Sequence, residues 1–126
     1  MTELCDLSAS QLGTIIRTKE ASPVEVMRSC IARTKAVDGA LNAMVTPAFD
    51  TALSAARKAE DAVMRGEELG LFHGLPVAVK VLAATAGIRT TYGSRLHQND
   101  IPDADQGAVA RFREQGGIVI GKTNTP

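Results

Sequence analysis

The chain has no tryptophan, one tyrosine and three phenylalanines in 126 residues. So few rings cannot form a platform for stacking nucleic-acid bases. Positive charge is not in excess either, because 14 Lys plus Arg are matched by 14 Asp plus Glu. Neither nucleic acid nor an anionic membrane surface is therefore an expected partner. No apolar run approaches the roughly 20 residues that a bilayer span needs. Glu3 and Asp6 stand early with no apolar stretch around them, so no signal peptide is expected and the expected location is the cytoplasm. Two cysteines, Cys5 and Cys30, are too few for a disulfide framework and share no metal-ligand spacing with His73 or His97. Both are expected to be reduced, with Cys30 a small buried hydrophobe on a helix face. No metal or cofactor is expected.

What the chain does have is core-forming material, 44% of it hydrophobic. Its length suits one domain over residues 1–126 without an internal boundary. Ser8 and Gln11 make a capping-box pattern before Leu12, Ile15 and Ile16, predicting a helix to about Thr18. Ser22-Pro23-Val24-Glu25 is a second helix start, with serine at the cap, proline at the first turn and glutamate three residues on. Gly39 is expected to follow the end of that helix, and Asn42 to Val45 to form an edge strand. An alanine-rich helix is predicted from about Pro47 to Arg65, closed by Gly66.

Two later apolar runs read as strands. Gly74-Leu75-Pro76-Val77-Ala78-Val79 ends on Lys80, and its composition suits a strand buried on both faces. Ile118-Val119-Ile120 follows a helix through Val109, Ala110 and Phe112, for which Asp103 or Asp105 is the expected cap. The alternation of helices and strands is an α/β pattern, with N-terminal helices leading into a mixed sheet. Lysines often end strands merely to carry charge into water. Ligands and chemistry nevertheless gather at the carboxyl ends of strands in open α/β sheets, which makes Lys80 the candidate functional residue.

Gly116 to Thr123 satisfies the string G-x-x-x-x-G-K-[ST] of a phosphate-binding loop. Its context is wrong, because such a loop needs a strand before the first glycine and a helix at the lysine. Here the strand lies inside the string and Pro126 follows closely. Nucleotide binding is not expected. As a base Lys80 would have to be neutral near working pH, so its pKa of about 10.4 must fall by roughly 3 units through burial.

Three blocks carry a family resemblance: Leu71 to Lys80, Ala86 to Ser94, and Gly116 to Pro126. In this order and spacing they closely resemble the N-terminal part of amidase-signature hydrolases, and the Ser22-Pro23 and Leu41-Asn42-Ala43 segments are similar too. The resemblance covers nearly the whole chain but only the first part of the family's domain, so the expected fold is an incomplete amidase-signature fold. It implies a triad in which a lysine, through a bridging cis-serine, deprotonates a serine that attacks an amide carbonyl. By position Lys80 matches the lysine. The family's two catalytic serines lie in a Gly/Ser-rich segment beyond residue 126, and Ser94 matches a structural Gly-Ser pair instead. Val81 stands where the family commonly has aspartate, which removes a possible acceptor for the lysine.

Two readings follow. In the first, the chain is the N-terminal portion of an amidase whose small-molecule amide substrate is bound by the complete protein, and the 126 residues alone are catalytically incomplete. In the second, it is a non-catalytic amidase-like module that associates with itself or another chain through an open sheet edge. Thr90, Thr91 and Tyr92 lie in a turn-rich loop that is a candidate pocket wall.

Overall fold

A computed structural model describes residues 2–126. Helix α1 runs over Ala9–Arg17, and both halves of its expected capping box form between Ser8 and Gln11. Helix α2, Pro23–Leu41, begins on the second box between Ser22 and Glu25. It does not stop at Gly39. An added Cβ there would meet nothing within 4 Å, and the helix continues to Leu41 before Asn42 ends it in the left-handed conformation at φ 52°. Asn is one of the few side chains that accept that geometry. The Asp38 carboxylate then accepts from the backbone N–H groups of Ala43 and Met44 at 2.8 and 2.9 Å, holding the chain as it turns into β1.

Strand β1 is Met44–Pro47, followed by α3 over Phe49–Met64. Strand β2 is Pro76–Lys80, α4 is Gly107–Glu114 and β3 is Ile118–Thr123, with short 3-10 turns at Leu4–Asp6 and Arg95–His97. Neither Asp103 nor Asp105 caps α4. Its N-cap residue is Gln106, which makes no side-chain cap bond, while the Asp105 carboxylate is committed to Ala86 N–H and Arg113.

The sheet has the order β1-β3-β2, with β1 antiparallel and β2 parallel to β3. This places β3 in the middle, where its residues from Ile118 to Lys122 are buried. β2 is correspondingly an edge strand with half-buried and exposed positions, not the doubly covered strand that its composition suggests. Its apolar run resembles that of a buried strand, but burial is set by neighbours, and within the chain β2 has one.

Each face of the sheet has its own cover. Ile118 and Ile120 pack with Val24, Met27 and Ile31 of α2 and with Ala52, Ala56 and Ala59 of α3. The alanines of α3 let its backbone lie close to the sheet. On the other face Val119 meets Ile88 and Val109, with Val77, Val79 and Ala83 at the margin. A third cluster joins Leu12 and Ile16 of α1 to Val26, Val63 and Leu75. Gly117 is needed where the chain enters β3, because an added Cβ would stand 2.0 Å from the Phe112 ring. Among the described residues no helix is long and apolar enough to cross a membrane.

Candidate active site

Because β2 and β3 are parallel, their carboxyl ends open at the same end of the sheet. Lys80 is in register with Thr123 there, and Val79 with Lys122. Directly paired residues share a face and neighbours along a strand alternate. Lys80 therefore belongs to the face that carries Ile118, and Lys122 to the face that carries Val119. A register shift between Val77 and Ala78 preserves this division across the sheet.

The two lysines have different surroundings. Lys80 is exposed, and its ammonium makes no hydrogen bond or ion pair among the described residues. The structure thus places the candidate base at a strand's carboxyl end on an open edge, without the burial that a neutral lysine needs. Lys122 has no accessible surface. Its ammonium donates to the Ala83 carbonyl and, at 2.6 Å, to the Thr85 hydroxyl. Burial, reinforced by the nearby Arg113 guanidinium and partly opposed by Asp105, pushes its pKa down to about 8. In the sequence Lys122 stands out only as part of the phosphate-loop string. The usable signal is its place at the end of the apolar run Ile118-Val119-Ile120, two residues after the last isoleucine. The string itself forms no anion nest, because residues Ile118–Thr123 are extended strand.

The segment after Lys80 is held from several sides. Val81 N–H donates to the Thr123 carbonyl at 2.8 Å and Ala83 N–H to the Lys80 carbonyl at 3.0 Å. Gln106 N–H donates to the Ala84 carbonyl at 2.8 Å, and Gly87 N–H to the Pro102 carbonyl at 3.1 Å. Asp105 accepts from Ala86 N–H at 2.7 Å and pairs with Arg113 at 2.8 Å, while Arg113 also donates to the Ala86 carbonyl. Val81 is buried at 1% exposure, so the residue after Lys80 points into the core. Thr90 is buried as well, with its hydroxyl donating to the Ile88 carbonyl at 3.0 Å. Ser94 accepts from Leu96 N–H at 3.2 Å and so caps a turn.

His73 Nε2 lies 2.9 Å from the Ala59 carbonyl, tying the turn before β2 to α3. Both cysteines are free, and burial pushes the half-buried Cys30 thiol upward, with Cys5 adding to the shift. No group of three His, Cys, Asp or Glu side chains among the described residues is arranged to hold a metal ion.

Comparison with known proteins places this geometry. The family profile described as Amidase matches residues 25–126. A glutamyl-tRNA(Gln) amidotransferase subunit from Geobacter sp. (strain M21) is 39% identical over 122 residues, covering 97% of this chain and 25% of that protein. The corresponding protein of Carboxydothermus hydrogenoformans is 40% identical with the same coverage. Among solved structures, a bacterial aryl acylamidase of the amidase signature family superposes with a TM-score of 0.88 at 29% identity, over 95% of this chain and 25% of that one. Native peptide amidase from Stenotrophomonas maltophilia gives 0.83 at 28% identity, over 98% and 24%. The chain spans about a quarter of the length of the relatives it matches. With the profile running from α2 through β3 and the fold shared across the chain, this protein belongs to the amidase signature family.

Proposed function

We propose that the chain contributes the general base of an amidase, with Lys80 as that base and a linear amide C–N bond as the target. The observation that carries this reading is the position of Lys80, exposed at the carboxyl end of β2 on a sheet edge that is open within the chain. Such an end can receive both the substrate and the residues that complete the site. In this mechanism Lys80 in its neutral form takes a proton, through a bridging serine, from a serine that attacks the amide carbonyl. The proton passes to the amide nitrogen as the C–N bond breaks and the amine departs, and a water then attacks the acyl-enzyme, releasing the carboxylic acid and restoring the serine hydroxyl.

In this mechanism neither serine is assigned within the 126 residues, and within them Lys80 has no cover that would desolvate it. The isolated chain is accordingly expected to show no turnover of a simple aryl amide. Turnover by the purified chain that disappears in Lys80→Ala would overturn the incompleteness of the chain while keeping Lys80 as its base, whereas turnover that survives Lys80→Ala would overturn Lys80 as the base.

A second reading has its own support in the open outer edge of β2, whose N–H and C=O groups can pair with another strand. In it the chain is a non-catalytic module that associates with a second copy or another chain. Size-exclusion chromatography with light scattering separates the two. A dimer dispersed by a proline at Ala78 favours the module, whereas a monomer at all accessible concentrations rules out self-pairing.

A further inference from the structure

Among the described residues, Lys122 is the bulkiest side chain without accessible surface. Lysine is almost never fully buried unless a carboxylate pairs with it. The groups that Lys122 touches through Nζ are neutral, the Ala83 carbonyl and the Thr85 hydroxyl. The carboxylate whose charge acts on Lys122, Asp105, is already bonded to Arg113 at 2.8 Å. The ammonium therefore does not complete an ion pair. Nor is it needed to satisfy the turn, because the Thr85 hydroxyl itself donates to the Ala83 carbonyl at 3.1 Å. Burying a charge for no pairing gain is costly, and the depressed pKa of Lys122 records that cost.

What the lysine adds is a fixed location for Ala83. The N–H of Ala83 closes onto the carbonyl of Lys80 at 3.0 Å, and the carbonyl of Ala83 is the one that Lys122 holds. One residue thus connects the two lysines across the sheet, with Lys122 reaching the backbone of Lys80 from the opposite face. The bond from Val81 N–H to the Thr123 carbonyl closes the same turn from β3. Together these contacts set the direction in which the chain leaves β2.

We propose that Lys122 is a positioning residue for Lys80, fixing Ala83 against β3 and thereby the backbone from which the Lys80 side chain projects. Its catalytic meaning rests on the reading of Lys80 as the base, whereas the mechanical link is measurable in the 126-residue chain itself.

The test is nuclear magnetic resonance on the isotope-labelled chain at neutral pH. In Lys122→Met the protection of the Ala83 amide against hydrogen exchange is expected to fall about tenfold, as for loss of a hydrogen bond from a charged donor. Protection of the Ile118 amide, bonded to the Leu75 carbonyl at 2.9 Å, is expected to hold. Residual dipolar couplings of the Lys80, Val81 and Ala83 N–H vectors should shift relative to those of β3, and Lys122→Arg should restore them. A role in stability alone would lower Ile118 and Ala83 protection together and leave the vectors in place, which would overturn the proposal. Unchanged Ala83 protection would overturn it too. Lys122→Gln, polar but too short for both acceptors, carries the same readouts should the methionine variant not fold. Failure of Lys80 as base would appear, in a protein completed with the catalytic serines, as amide turnover that survives Lys80→Ala, a result independent of the exchange pattern.

Discussion

Lys80 ends β2 and Lys122 is the last residue but one of the parallel neighbour β3, one residue apart in register, yet one is exposed and the other has no accessible surface. Their strands explain the difference. β3 is paired on both sides and covered on both faces, so a side chain at its end is covered by the turn that follows β2. β2 is paired on one side only, and its last residue projects where the chain provides no cover. A lysine acquires unusual acid-base character from its surroundings, not from its identity. Within this chain that character belongs to Lys122, while the geometry open to a substrate belongs to Lys80.

Core substitutions on the two strands should separate them most strongly. Ile120 of β3 is 5% exposed and sits among side chains from α2 and α3, so Ile120→Ala is expected to cost about 2–5 kcal/mol through lost burial and a residual cavity. Val79 of β2 is half-buried at the edge of the opposite cluster, and Val79→Ala is expected to cost about 1 kcal/mol. Urea unfolding of both variants measures the contrast. Equal losses would mean that β2 is as well covered in solution as β3, which is what self-association through the open edge would produce.

The same contrast marks how far the sequence can be read. The capping boxes at Ser8 and Ser22 are legible because their partners lie three residues away. Gly39 misplaces the end of α2, since helix termination at Asn42 also uses the reach of Asp38 to Ala43 and Met44. Strand order is not legible, as it depends on pairings between Met44 and Thr123 and between Pro76 and Ile118. Composition marks β2 as apolar but does not count its neighbours. Asp105 reads as a helix cap from sequence, and only the fold brings Ala86 and Arg113 to its carboxylate. Lys80 is found through the flanking blocks of the family. Lys122 is obscured by a string match, and its burial arises because residues 81–85 fold back over β3.

A smaller effect, in the pH dependence of stability, sharpens the comparison of the lysines. Lys122 is depressed in the folded protein from 10.5 to about 8, so between those values the unfolded chain binds more protons than the folded one. Stability rises with pH across that window, is fully gained above about 10.5, and is lost as pH falls through 8. Cys30 works in the opposite sense. Its thiol is raised above 9.0 in the folded state, so its contribution is complete below 9.0 and is lost as pH rises through the folded value. Removing it in Cys30→Ala should therefore expose the Lys122 slope more cleanly. Against that background, urea midpoints are expected to climb from pH 8 toward pH 10, and Lys122→Met should flatten the climb. Lys80→Met, which removes an exposed lysine of the edge strand, should leave it intact. If Lys80→Met flattened the climb instead, or Lys122→Met left it unchanged, the assignment of the buried titrating amine to β3 would fail.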